Sequence, residues 1–146
     1  MKKITTLMMS AMLVATTFTA CTTNDNAKVI EVAEVQANSD AEIILFHGKQ
    51  RCMNCQAIEK ETQTLMANEL SQLANEGKVK FSIIDFSTEE GKAMAEEFKV
   101  SFTSLFLVSP EGKEDLTKFA IDNARTNAEE FRNELKNKVM KVTNNL

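Results

Sequence analysis

The run Ile43-Ile44-Leu45-Phe46 has no polar face, and no other feature limits the possible folds of this chain so strongly. A strand with one face in water alternates apolar and polar residues, whereas a strand covered on both sides is apolar throughout. Glu42 to His47 brackets the run, which ends at Gly48. It predicts a strand buried on both faces in a parallel sheet. With 146 residues, 43% of them hydrophobic, the chain has material for one core of that kind.

The remaining periodicities supply the cover. Cys55, Ile58, Thr62, Leu65, Met66, Leu70 and Leu73 fall on one helical face, in a run closed by Gly77. Val79, Phe81 and Ile83 alternate with Lys80 and Ser82, predicting a strand that ends at Asp85. Ser87 and Glu90 have capping-box spacing for a helix through Ala95 and Phe98. Leu105 to Val108 reads as another apolar strand. Ser109-Pro110-Glu111-Gly112 has the residues of a type I turn, and Lys113 to Ile121 reads as the antiparallel return. Thr126 and Glu129 repeat the capping-box spacing before a final helix striped by Phe131, Leu135, Val139 and Val142. The charges Glu129, Glu130, Arg132 and Lys136 read as its solvated face, and Met66, Met94 and Met140 as core filler. The order is strand, helix, strand, helix, strand, strand, helix, with two parallel crossovers and a hairpin.

The first residues read as an address. Met1-Lys2-Lys3 is a positive start, and Ile4 to Ala20 is apolar or small but short and threonine-rich for a membrane span. Phe18-Thr19-Ala20-Cys21 resembles a bacterial lipobox, with Phe18 where leucine is more usual. Cys21 is then an acylation site, which accounts for the cysteine left over from a pair. Residues 22–27, with Asn24, Asp25 and Asn26, have the composition of a tether, and Val29, Ile30, Val32 and Val35 mark a candidate strand at the sheet edge. The expected division is a lipoprotein signal peptide at 1–20, a lipidated tether with a candidate N-terminal strand at 21–38, and a folded domain at 39–146. That division places the protein in a cell envelope, anchored by lipid to a bacterial membrane.

Chemistry-bearing side chains are few: three cysteines and one histidine. Cys52-Met53-Asn54-Cys55 lies just beyond the interior strand, where a helix begins. Free N–H groups at a helix N-terminus, with Lys49 and Arg51 close in sequence, favour a thiolate at Cys52, while Cys55 faces the core. This placement and the element order resemble the thioredoxin fold, an α/β fold with a central mixed β-sheet flanked by helices. The resemblance implies a thiol–disulfide oxidoreductase in which Cys52 is the nucleophile and Cys55 the resolving thiol. It also implies that a loop carrying Thr103 and Ser104 faces the cysteines and meets substrate, Ser104 standing where thioredoxins usually hold a cis-proline. Partners would be protein or small-molecule thiols and disulfides, with no cofactor. Leu45 and Phe46 stand where thioredoxins tend to bury an acid, so no internal proton acceptor is evident.

Two other readings use the same residues. Cys52, Cys55 and His47 are soft donors suited to copper or zinc, and the missing proline adds weight to metal handling. His47 at a strand end can equally serve as a hydrogen-bonding partner of its loop. The third reading is a noncatalytic binding module. A net charge of −4 without a basic stripe argues against nucleic acid, whose phosphates require clustered Lys and Arg.

Overall fold

Ile43, Ile44, Leu45 and Phe46 are at most 1% exposed, within strand β1 (Ala41–His47) of a computed structural model that describes residues 39–144. The leader, Cys21, the tether and the candidate strand over 28–36 lie outside the described residues. After β1 come α1 (Met53–Ala67), α2 (Ser71–Asn75), β2 (Val79–Asp85), α3 (Glu89–Glu97), β3 (Ser104–Ser109), β4 (Gly112–Asp115), α4 (Thr117–Asn123) and α5 (Ala128–Asn144). The sheet order is β2-β1-β3-β4. Strand β1 runs parallel to β2, with His47 opposite Asp85, and antiparallel to β3, with Phe46 opposite Ser104. The fold is α/β, a four-stranded mixed sheet flanked by helices.

Both faces of β1 are covered, as an all-apolar strand requires. Ile43 and Leu45 join Leu105 and Leu107 of β3, Ile58 and Leu65 of α1, and Phe131, Leu135 and Val139 of α5. Ile44 and Phe46 face the other way, toward Ala95 of α3. There the rings of Phe46, Phe98 and Phe106 form a triangle with centroids 5.1 to 6.0 Å apart. Each large side chain buried in this way stabilises the fold by roughly 1.5–3 kcal/mol before the entropy of ordering it.

The structure departs from the sequence expectations in several places. Only one crossover is parallel: β3 runs antiparallel to β1, because an apolar run records burial but not strand direction. The helix expected from Cys55 to Gly77 breaks after Ala67. The Asn68 side-chain amide donates to the Thr64 carbonyl at 2.8 Å, Ser71 donates to the Asn68 carbonyl, and the chain bends so that Leu70 is fully buried. Helix α3 is capped by Thr88, not Ser87, whose hydroxyl and N–H both go to the Asp85 carboxylate. The returning strand stops at Asp115. Asp115 accepts the N–H of Thr117, and Leu116, Ala120 and Ala124 follow the helical spacing of α4 instead of a strand's alternation. Thr126 donates its hydroxyl back to the Asp122 carbonyl instead of capping α5. Arg132 leaves the solvated face to pair with the buried Glu61 of α1, and Met140 is exposed.

Two backbone features set the approach to the site. At Lys99, φ is +56°, and the N–H groups of Lys99 and Val100 close the end of α3 on the carbonyls of Glu96 and Ala95. That reversal sends the chain back along the sheet toward Thr103. Gly91 lies against the end of β2, where a Cβ would stand 2.0 Å from the Asp85 carbonyl oxygen. Its N–H is held by the Thr88 hydroxyl at 3.0 Å, so the first turn of α3 cannot easily withdraw. Gly91→Ala is therefore expected to destabilise the domain by about 1–3 kcal/mol in urea unfolding, despite alanine's better helix propensity. Unchanged or increased stability would mean that α3 does not sit this close to β2.

Candidate functional site

Burial of β1 delivers the chain to the site. The His47 carbonyl accepts the N–H of Phe86 at 2.9 Å, and at Gly48 a Cβ would meet the Phe86 ring at 2.9 Å. Glycine thus lets the chain leave the sheet close against Phe86. Four residues on, Cys52 takes an extended conformation and caps α1, its sulfur accepting the N–H of Cys55 at 3.4 Å. One helical turn carries Cys55 inward, where it is 1% exposed, while Cys52 stays exposed.

Both cysteines are free, with their sulfurs 3.0 Å apart. The Cys55 sulfur also lies 2.7 Å from the Thr103 hydroxyl oxygen. Donor and acceptor roles follow from the surroundings. Cys52 already accepts a backbone N–H at the positive end of α1, so the Cys55 S–H donates to Cys52 and the Thr103 hydroxyl donates to Cys55. The hydrogen bond from the Cys55 side chain, followed by that from the Cys55 N–H, holds the Cys52 thiol below its ordinary value of 9.0, against a smaller opposing effect of burial. The reduced fold therefore gains stability from the Cys52 thiolate that is complete above pH 9.0 and is lost as pH falls through the depressed pKa.

Lys49 and Arg51 do not supply the charge that their nearness in sequence to Cys52 leads one to expect. Arg51 turns away, pairing through its guanidinium with Glu59 two turns along α1, while its carbonyl accepts from Gln56. Neither cation is among the causes of the Cys52 shift; aligned local dipoles are. Arg51 and His47 act instead on Asp85, whose carboxyl lies below its usual range first because of the Ser87 hydroxyl and N–H, and then through these two charges. His47 is 9% exposed and donates Nδ1–H to the Gly48 carbonyl at 3.0 Å. Among the described residues no three His, Cys, Asp or Glu side chains gather as metal ligands, so His47 is not brought together with the cysteine pair.

Thr103 and Ser104 play separate parts. Thr103 is half-buried and touches Cys55, whereas Ser104 is 4% exposed and donates its hydroxyl to the Phe102 carbonyl at 3.0 Å. Leu45 and Phe46 are fully buried, and among the described residues no Asp or Glu joins the two cysteines. Two residues to which the sequence attached no role stand out beside the pair, Met53 at 68% exposure and Phe102 at 60%. Each adjoins a residue that contacts a site sulfur. Their only signal in the sequence was that no helix or strand period claimed them.

No protein-family model matches the chain, and no curated protein matches it. Among solved structures, one described as "Structure of a malarial protein" is similar at 16% identity with a TM-score of 0.39, covering 58% of this chain and 94% of its own.

If hydrogen bonds and not Arg51 set the state of Cys52, Cys55→Ala should move its titration up toward 9.0, as read by thiolate absorbance or alkylation against pH. Arg51→Met should leave that titration in place. A shift caused by Arg51→Met with none from Cys55→Ala would contradict this assignment.

Proposed function

We propose that this chain is a thioredoxin-like thiol–disulfide oxidoreductase of a bacterial cell envelope. The observation that carries the reading is the inequality of two adjacent sulfurs. One is exposed, caps a helix and is held toward its thiolate; the other is 3.0 Å away, buried and bonded to a hydroxyl. A structural disulfide has no need of that difference, while an exchange reaction depends on it. The element order strand, helix, strand, helix, strand, strand, helix, with α2 and α4 as short insertions, supports the thioredoxin-like assignment.

In the forward direction the Cys52 thiolate attacks one sulfur of a substrate disulfide. A mixed disulfide forms, and the other substrate sulfur leaves as a thiolate that takes up a proton. Cys55 then loses its proton and attacks the Cys52 sulfur. The second substrate sulfur departs, and the Cys52–Cys55 disulfide remains. Two electrons pass from the dithiol to the substrate, and an external dithiol restores the pair. Substrates are proteins or small molecules bearing disulfides, and the exposed Met53 and Phe102 beside the pair favour an apolar group next to the scissile bond. The leader and the lipobox-like Phe18-Thr19-Ala20-Cys21 support export and anchoring through lipid on Cys21.

Removing the resolving thiol tests the assignment of roles. Cys55→Ser should accumulate a mixed disulfide at Cys52 on nonreducing gels, whereas Cys52→Ser should trap nothing and abolish turnover. No adduct from Cys55→Ser, with wild-type turnover no faster than a free dithiol, would leave a structural pair only. The intact mass of the mature protein reports on the anchor in the same preparation, and an unmodified Cys21 would rule it out.

A further inference from the structure

We propose that the Thr103 hydroxyl carries the proton of Cys55 to solvent in the resolving step, an assignment that rests on the oxidoreductase reading above. Cys55 must become a thiolate before it can attack, yet it is 1% exposed. Its sulfur has two polar neighbours, Cys52 Sγ at 3.0 Å and Thr103 Oγ1 at 2.7 Å. Once Cys52 is bound in a mixed disulfide it no longer carries the charge that held the Cys55 proton. Thr103 is then the remaining acceptor.

The charged and titratable groups on the surrounding elements are engaged elsewhere. On α1, Glu59 holds Arg51, and Glu61 holds Arg132 of α5 and lies within reach of Lys60. At the end of β1, His47 Nδ1 is bonded to the Gly48 carbonyl, and at the end of β2 Asp85 accepts from Ser87. Glu42 is buried at the opposite end of β1, where it accepts from Ser82 at 2.5 Å and faces Lys80. The segment carrying Phe102, Thr103 and Ser104 supplies no titratable side chain. Lys49 is exposed and is a donor only.

Thr103 is placed to reverse its bond. In the reduced pair its hydroxyl donates to Cys55; in the mixed disulfide the Cys55 S–H turns to donate to Oγ1. The S–H bond breaks as Oγ1 takes the proton, and the original hydroxyl proton passes to water at the half-exposed side of Thr103. The Cys55 thiolate then forms the bond to Cys52 Sγ, and the substrate sulfur leaves as a thiolate and is protonated by solvent. Thr103 ends chemically unchanged. Because it touches a reacting atom, it is a catalytic residue.

A symmetrical aryl disulfide that releases a coloured thiolate at each step separates the two events in a rapid-mixing experiment with the reduced full-length protein. The first release reports attack by Cys52 and the second reports resolution by Cys55. Thr103→Val should slow the second rate on the order of a hundredfold, the lower end of what a proton-transfer group contributes, and the first rate by far less. Thr103→Ser should restore the second rate, which a merely structural role of the threonine methyl would not allow. An unchanged second rate in Thr103→Val, or equal slowing of both steps without rescue by Thr103→Ser, would overturn the relay while leaving the oxidoreductase reading intact. Absence of a second release from the wild-type protein would remove both.

Discussion

Strand β1 cannot meet water on either face, and the rest of the domain is arranged to prevent it. Its parallel and antiparallel neighbours satisfy its backbone, while α1 and α5 cover one side and α3 with the Phe46, Phe98 and Phe106 rings covers the other. A strand held this tightly has a fixed end. The chain leaves it at Gly48 against Phe86 and must start α1 within a few residues, so Cys52 is placed by the same packing that buries Ile43 to Phe46. The site is an outcome of the core.

The difference between the two sulfurs follows from their positions on α1. At the cap a side chain faces solvent and the free N–H groups of the first turn; one turn later it faces the interior. No cation has to be brought up to Cys52, and Arg51 is spent on holding Glu59. The arrangement stabilises the reduced form of the pair through bonds that a disulfide would have to give up. On the proposed oxidoreductase reading, such a couple would be poised for exchange instead of permanent closure.

Features that depend on burial alone were legible in the sequence. Strands β1, β2 and β3, the inward face of α1 and the stripe of α5 follow from the period of apolar residues, and the two cysteines from their spacing behind β1. Strand direction, the break at Asn68 and the helix α4 were not legible. Direction is not recorded by an apolar run, while the break and the helix each turn on a polar side chain choosing a backbone partner, as Asn68 chooses the Thr64 carbonyl and Asp115 the Thr117 N–H. At the site, nearness in sequence misled for Arg51, because a long side chain can turn to an acid two helical turns away. Thr103 entered only through resemblance, and its contact with Cys55 spans 48 positions that no local pattern records.

If Cys52 and Cys55 form a working redox couple, their reduction potential reveals it. Equilibration of the purified protein with glutathione or a dithiol buffer, followed by quantification of the Cys52–Cys55 disulfide, gives the value. A working couple should lie between about −270 mV and about −120 mV, the range of thiol–disulfide exchange proteins. A potential below about −300 mV, where structural disulfides lie, would contradict it, as would failure of the two cysteines to form a disulfide at all.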